Sequence, residues 1–222
     1  MPLTAEDIRQ IATRCPRRWD KHYTASKLRA DPVYAAVEKE LVASELPLLD
    51  VGCGMGLLAH WMRAVGHKAR IIGFDFDERK IHSAVEMARH LTDTDFAVGD
   101  ARSSIPEHAG DVVILDILQY FEESEQDLLL RQVAQRVATG GKLVIRSGLK
   151  TDSWRYRVTM ICDYIAHGTF WMKSAPQRYP TAEQFQRVLE GAGLEVKISP
   201  LWGNTPFNNH LIVAQRRAQP DR

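Results

Sequence analysis

The sequence predicts an α/β fold of the doubly wound kind, with helices on both faces of a mostly parallel sheet. Three observations carry this expectation. Short apolar runs at 48–51, 70–74, 95–98, 111–115 and 142–146 alternate with helical patterns at 57–65, 78–90 and 124–138, the rhythm of βαβ units. The run Val112-Val113-Ile114-Leu115 is aliphatic at consecutive positions, as in strands covered on both faces. A glycine-rich turn, Gly52 to Gly56, follows the first run directly and leads into the first helix of the series.

Taken in order, residues 1–46 are expected to form a helical cap across the ligand edge of the sheet. Its helices span 4–14 and 33–43 and flank a polar, aromatic-bearing segment at 17–23. Residues 47–149 hold the alternating core, in which Asp77 is placed to cap the helix at 78–90 and Gly140-Gly141 supplies the turn before the strand at 142–146. Residues 150–180 break the pattern with Trp154, Tyr156, Met160, Tyr164, Phe170, Trp171 and Met172, and are expected to form a lid or else hydrophobic core. Across 181–216, Thr181 and Gln184 have capping-box spacing for a helix ending at Gly191, and strands at 194–199 and 211–215 follow. A chain of 222 residues has the length for one core, so a single domain is expected, with a polar tail at 216–222.

Composition excludes more than it identifies. A formal net charge of +1 gives no general attraction to nucleic acid or membrane. Cys15, Cys53 and Cys162 stand far apart, so neither a disulfide framework nor a zinc site is indicated. The first residues lack the apolar core of a signal peptide, and no run approaches the roughly 20 apolar residues of a spanning helix. A cytoplasmic, unanchored protein is expected, monomer or homodimer. Met160, Ile161, Tyr164 and Ile165 have helix-compatible spacing that would allow surface contact with a membrane.

Chemistry concentrates at strand ends. Glycines at 52, 54 and 56 let a ligand approach the backbone of the turn and the N–H groups of the helix start. A dinucleotide turn would want glycine at the position of Leu57, so the spacing disfavours nicotinamide cofactors. Asp75 ends the second strand, where a carboxylate accepts both hydroxyls of a ribose; helix capping is the other use of an acid there. Asp100 and Ala101 follow the third strand, suited to an adenine ring or to a plain turn. Asp116, Ile117 and Tyr120 follow the fourth, suited to the reacting centre or to packing.

The stretch 48–148, with Leu49-Asp50-Val51-Gly52-Cys53-Gly54-Met55-Gly56, Asp75, Gly99-Asp100-Ala101 and Gly140-Gly141-Lys142-Leu143, resembles the class I S-adenosylmethionine-dependent methyltransferases of small-molecule type. The resemblance implies a seven-stranded sheet whose last strand is antiparallel. It also implies S-adenosylmethionine over Gly52, Cys53, Gly54 and Gly56, ribose on Asp75 beside Phe76, and adenine beside Asp100, with S-adenosylhomocysteine as product. Asp50, Asp116, Ile117 and Tyr120 complete the implied cofactor set. Arg17 to Tyr23 resembles the cap of small-molecule members, which places Trp19 and Tyr23 beside the methionine moiety; with 28–34 it is similar to methyltransferases associated with bacterial aryl polyene pigments.

Methyl transfer from a sulfonium is an in-line displacement that alignment and a dry aromatic surround promote. Hydroxyl acceptors usually need a base, for which His22, His167 and Tyr120 are the candidates, whereas His60, His67, His82 and His90 fall on helical or loop surfaces. Asp116-Ile117-Leu118-Gln119 replaces the Asn-Pro-Pro-Tyr type motif of amine methylation. Arg146-Ser147-Gly148 stands where metal-dependent members carry carboxylates, leaving Asp116 without a second acid, so no metal is expected. The function expected is O-methylation of an aromatic or carboxylic small molecule. A non-catalytic cofactor-binding partner protein is the alternative, and a nucleotide-dependent oxidoreductase the third. No long basic stripe favours a nucleic-acid partner.

Overall fold

A computed structural model describes residues 3–168 and 177–216, with the side chains of 163–168 left aside. Phe170, Trp171 and Met172 therefore lie outside the described residues, as do the tail beyond Arg216 and the side chains of Tyr164, Ile165 and His167.

The strands are β1 (Leu48–Val51), β2 (Ile71–Asp75), β3 (Thr94–Val98), β4 (Asp111–Leu115), β5 (Lys142–Gly148), β6 (Glu195–Pro200) and β7 (Asn209–Gln215). They form one seven-stranded sheet in the order β3-β2-β1-β4-β5-β7-β6. β1 runs parallel to β2 and β2 to β3, while β7 runs antiparallel to both β5 and β6. The expected fold class is the observed one. Two compact units divide the chain, residues 1–113 and 114–222, and the division falls inside β4.

In the first unit, α1 (Ala5–Thr13), α2 (Arg18–Ala30) and α3 (Val33–Leu41) precede the sheet, and α4 (Leu57–Ala64) and α5 (Glu78–Met87) alternate with its strands. α1 starts on a reciprocal capping box between Thr4 and Asp7. Residues 17–23, expected as a polar segment between helices, instead open α2. Pro16 precedes the turn, the run that follows carries two each of Lys, Arg and Ala with no Gly or Pro to break it, and only Asp31-Pro32 stops it. These helices rest on α4 and α5: Tyr34 stacks on Trp61 at 5.5 Å, and the Cys15 thiol reaches the Met87 sulfur at 3.6 Å. Every residue of β1 is buried, as are the first four of β4, which accounts for their aliphatic composition apart from Asp50 and Asp111. β3 is the exposed edge and turns Phe96 toward the glycines described below.

His60 and His67 are not surface residues. Both are buried, and burial is the first cause that lowers each imidazole's pKa. For His60 the value falls to about 4, with His90 and Arg14 adding to the effect of burial. Its ring stacks on His90 at 5.5 Å, and its Nε2 has no hydrogen-bond partner among the described residues. Between the ordinary histidine pKa of about 6.5 and the folded value, the unfolded chain binds a proton that the native state refuses. The stabilisation held above pH ~6.5 is thus lost as pH falls, by about 3 kcal/mol in all. His60→Leu is expected to flatten the fall in unfolding free energy between pH 6.5 and 4 in urea titrations; an unchanged slope would place the acid sensitivity elsewhere.

In the second unit, α6 (Glu123–Arg136), α7 (Trp154–Gly168) and α8 (Ala182–Gly191) accompany β5, β6 and β7. The Thr181 hydroxyl caps α8 by accepting from Gln184 N–H. The helix continues through Gly191, and Gly193, at φ 79°, is the residue that takes the left-handed conformation after it. The start of α7 is tied to the β6–β7 connection by several groups. Arg155 lies between the rings of Trp154 and Trp202, and Thr159 accepts from Asn208 N–H at 2.8 Å. Asn208 Nδ2 in turn donates to the Leu149 carbonyl at 2.7 Å.

Candidate active site

Between β1 and α4 the chain turns on Gly52, Gly54 and Gly56, with φ of 75°, 56° and 73°. These are left-handed conformations that strain any residue carrying a Cβ. The N–H groups of Gly52 and Cys53 both donate to the Phe74 carbonyl, at 2.8 and 3.1 Å, and so bind the turn to the end of β2. A Cβ on Gly56 would meet the Phe96 ring at 2.5 Å; one on Gly73 would meet that ring at 2.7 Å and the Cys53 Cβ at 2.9 Å. Phe96 therefore occupies the room that two glycines leave. Around Gly54 nothing lies within 4 Å of that position, so its face of the turn is open to a ligand. Gly56 is also the N-cap of α4, whose first N–H groups are available to an acceptor.

Asp75, at the end of β2, is buried and already holds the turn. Its Oδ2 accepts from Gly54 N–H at 3.0 Å and its Oδ1 from Asp77 N–H at 2.8 Å. Each carboxylate oxygen has a further lone pair, one for each hydroxyl of a ribose. Asp77 takes the capping role, accepting from Arg79 N–H at 3.1 Å. Phe76 is exposed next to them. The carbonyl of Asp75 accepts from Gly99 N–H at 3.1 Å, which brings Asp100 close by. Asp100 Oδ1 in turn accepts from Arg102 N–H at 2.9 Å, and Ala101 is buried against the turn so formed.

Asp50 is 2% exposed in β1, and burial first, then the Asp75 carboxylate, push its pKa up to about 7. Burial first, and then the same two acids, raise the Cys53 thiol well above its ordinary range. From pH ~4 to ~7 the folded protein keeps an Asp50 proton that the unfolded chain has released, so stability falls across that window as pH rises. A shift of this size is worth about 4 kcal/mol as an order of magnitude. Asp50→Asn is accordingly expected to raise the melting temperature of the ligand-free protein at pH 8 and to change it little below pH 4. A lower melting temperature at pH 8 would mean that the carboxylate is stabilised by its surroundings.

Along α2, Trp19 and Tyr23 stand four residues apart and so share a face; Trp19 and His22 are exposed and Tyr23 is half-buried. In the second unit, Asp116 takes a left-handed φ of 57° directly after β4, and its N–H donates to the Arg146 carbonyl at 3.1 Å. Its carboxylate pairs with the Arg146 guanidinium, which is buried in β5. In the sequence Arg146 shows only as the absence of an acid. Gln119 Nε2 donates to the Asp116 carbonyl at 3.1 Å, and Tyr120, half-buried, ends a single 3₁₀ turn that starts after Ile117. Gln126, buried in α6, braces that turn: its Nε2 lies 2.9 Å from the Leu118 carbonyl and 3.0 Å from that of Phe121.

Among the expected cofactor residues, the first unit thus brings together Asp50, Gly52, Cys53, Gly54, Gly56, Asp75, Phe76, Asp100 and Ala101 at neighbouring strand ends. The second holds Asp116, Ile117 and Tyr120 in one short turn. Phe96, Arg146 and Gln126 were not anticipated. Of these, Phe96 left one sequence signal, as the lone aromatic of its strand opposite a glycine-rich turn.

A doubly wound sheet with an open glycine turn after β1 and an acid closing β2 is a frame suited to a nucleoside-bearing cofactor. Residues 48–141 match the family model described as "Methyltransferase domain". No protein of curated function matches the sequence. The structure is similar to the pyocyanin biosynthetic protein PhzM, with TM-score 0.67 and 21% identity over 95% of this chain and 62% of that one. It is also similar to magnesium protoporphyrin IX methyltransferase (ChlM) from Synechocystis PCC 6803 with bound S-adenosylhomocysteine, with TM-score 0.65 and 17% identity over 90% and 88%. An O-methyltransferase family protein from Burkholderia thailandensis gives TM-score 0.67 and 17% identity over 96% and 64%. At these identities the likeness is one of fold, and the chain spans less than two thirds of the first and third of these structures. The methyltransferase domain so matched covers residues 48–141, less than half of the chain. No described helix is long and apolar enough to cross a membrane.

Proposed function

We propose that this chain transfers a methyl group from S-adenosylmethionine to an oxygen of a small aromatic or carboxylic acceptor. The observation that carries the cofactor half of this reading is the open turn at Gly54 latched to the Asp75 carboxylate. In it, Asp75 receives the ribose hydroxyls beside Phe76, Asp100 and Ala101 border the adenine, and Gly52, Cys53 and Gly56 shape the bed of the cofactor. For the methionine end the resemblance supports Asp50, Trp19 and Tyr23 of the first unit and, taken separately, Asp116, Ile117 and Tyr120 of the second. When bound, the cofactor supplies an electrophilic methyl on a sulfonium; the protein's part is to align it and exclude water.

For the acceptor, the support is the aromatic character of 150–180, where Trp154 is exposed on α7 and Tyr156 meets Tyr179 edge to face at 5.4 Å. A hydroxyl acceptor would give up its proton to His22, His167 or Tyr120. The test is release of S-adenosylhomocysteine with a panel of phenols, hydroxy acids and lipid-linked acceptors. Turnover with an oxygen acceptor supports the reading. Tight cofactor binding with no turnover on any acceptor favours the non-catalytic partner role, and binding of nicotinamide cofactors instead would overturn both.

A further inference from the structure

The buried acid pair beneath the glycine turn has a consequence for how donor and product are told apart, and it rests on the cofactor reading above. Asp75 has both oxygens engaged, by Gly54 N–H and Asp77 N–H. Asp50, 2% exposed on the adjacent strand, accepts no hydrogen bond among the described residues. A buried carboxylate in that condition is costly to ionise.

The surrounding groups do not offset the charge. From β2 comes Asp75, an acid; from the turn, the Cys53 thiol, kept neutral by burial and by both acids. α5 carries Lys80, which acts on Cys53, and Asp77, which is paired with Arg79. α4 carries His60, held neutral, and Asp111 at the start of β4 accepts from the Ser44 hydroxyl. None of these is a cation paired with Asp50, which therefore keeps its proton up to about pH 7.

We infer that Asp50 couples cofactor binding to proton release, and that it does so more strongly for S-adenosylmethionine than for S-adenosylhomocysteine. The donor brings a sulfonium as well as an ammonium; the product brings the ammonium alone. A cation entering the turn stabilises the Asp50 carboxylate, and the carboxyl proton leaves to solvent. Once the methyl has moved, the sulfur is a neutral thioether, part of the attraction is gone, and a proton from solvent returns to Asp50. No bond to the protein forms or breaks. Donor affinity therefore rises with pH through neutrality faster than product affinity does, and mild acid favours product retention.

Calorimetric titration at pH 6.5 in buffers of differing ionisation enthalpy counts the protons. More than half a proton is expected to leave with S-adenosylmethionine and a clearly smaller fraction with S-adenosylhomocysteine. The ratio of product to donor dissociation constants is expected to rise about fivefold from pH 6 to 8, within the ceiling of about tenfold that release of one proton from a group titrating near 7 sets over that range. In Asp50→Asn, release is abolished and the ratio is flat. Equal release with both ligands in the wild type overturns the inference whether or not the variant folds, as does a variant that still releases the proton. Failure of the wild type to bind either ligand would overturn the cofactor reading instead.

Discussion

Asp75→Ala is expected to weaken S-adenosylmethionine binding by a factor of a hundred or more. Two hydrogen bonds from ribose hydroxyls to one carboxylate are charge-assisted, each worth about 1.5–3 kcal/mol. Losing both gives at least ~3 kcal/mol, or two decades in dissociation constant. The substitution also releases Gly54 N–H and Asp77 N–H, the two donors that the carboxylate holds at 3.0 and 2.8 Å. Loss of that latch would lower stability and loosen the turn, so melting temperature must be measured beside affinity. Asp75→Asn separates the two roles. An amide keeps one acceptor oxygen, sufficient for one of the two backbone donors, but offers a ribose no anion. It is expected to recover part of the stability while remaining at least tenfold weaker in binding. Unchanged affinity in either variant, by calorimetry, would remove Asp75 from the ribose and leave it as a structural latch.

The framework of this chain was readable because its signals are local. Consecutive burial on both faces forces aliphatic runs such as Val112 to Leu115 in β4, and the glycines at 52, 54 and 56 announce a turn whose backbone only glycine tolerates. Asp77 showed its cap through its place before a helix. What escaped reading depends on distant partners. Phe96 matters because Gly56 and Gly73, far away in sequence, make room for it, and one strand's composition cannot reveal that. Arg146 looked like a missing acid until the Asp116 carboxylate stood beside it, an encounter set by strand order. His60 follows the helical spacing of a surface residue, yet it is buried, with the His90 ring stacked on its own; helical periodicity shows which residues share a face, not what covers them. The acceptor stayed illegible for a different reason. In this reading it is recognised by 150–180, whose aromatic composition suits a lid and a core equally.

Gly56 and Gly54 share a backbone conformation but differ in surroundings, so the same substitution should fail in two different ways. Gly56→Ala places a Cβ at φ 73°, costing about 1–2 kcal/mol, and drives it to 2.5 Å from Phe96. Displacing the Phe96 ring, which packs against Gly56 and Gly73, adds about 1–3 kcal/mol. A loss of about 2–5 kcal/mol is expected in urea unfolding, with cofactor affinity falling as the turn shifts. Gly54→Ala carries the same backbone cost, yet nothing lies within 4 Å of its Cβ. Its stability should fall by only about 1–2 kcal/mol. Affinity should fall at least tenfold, because the new methyl projects onto the face where the cofactor approaches. Pairing Gly56→Ala with Phe96→Leu removes the clash but not the strained φ, so the double variant should regain the steric part alone, a coupling of at least 1 kcal/mol in a double-mutant cycle. Strict additivity of the two substitutions would show that Phe96 yields freely, and the close packing of turn against β3 would then not be what holds the cofactor bed in shape.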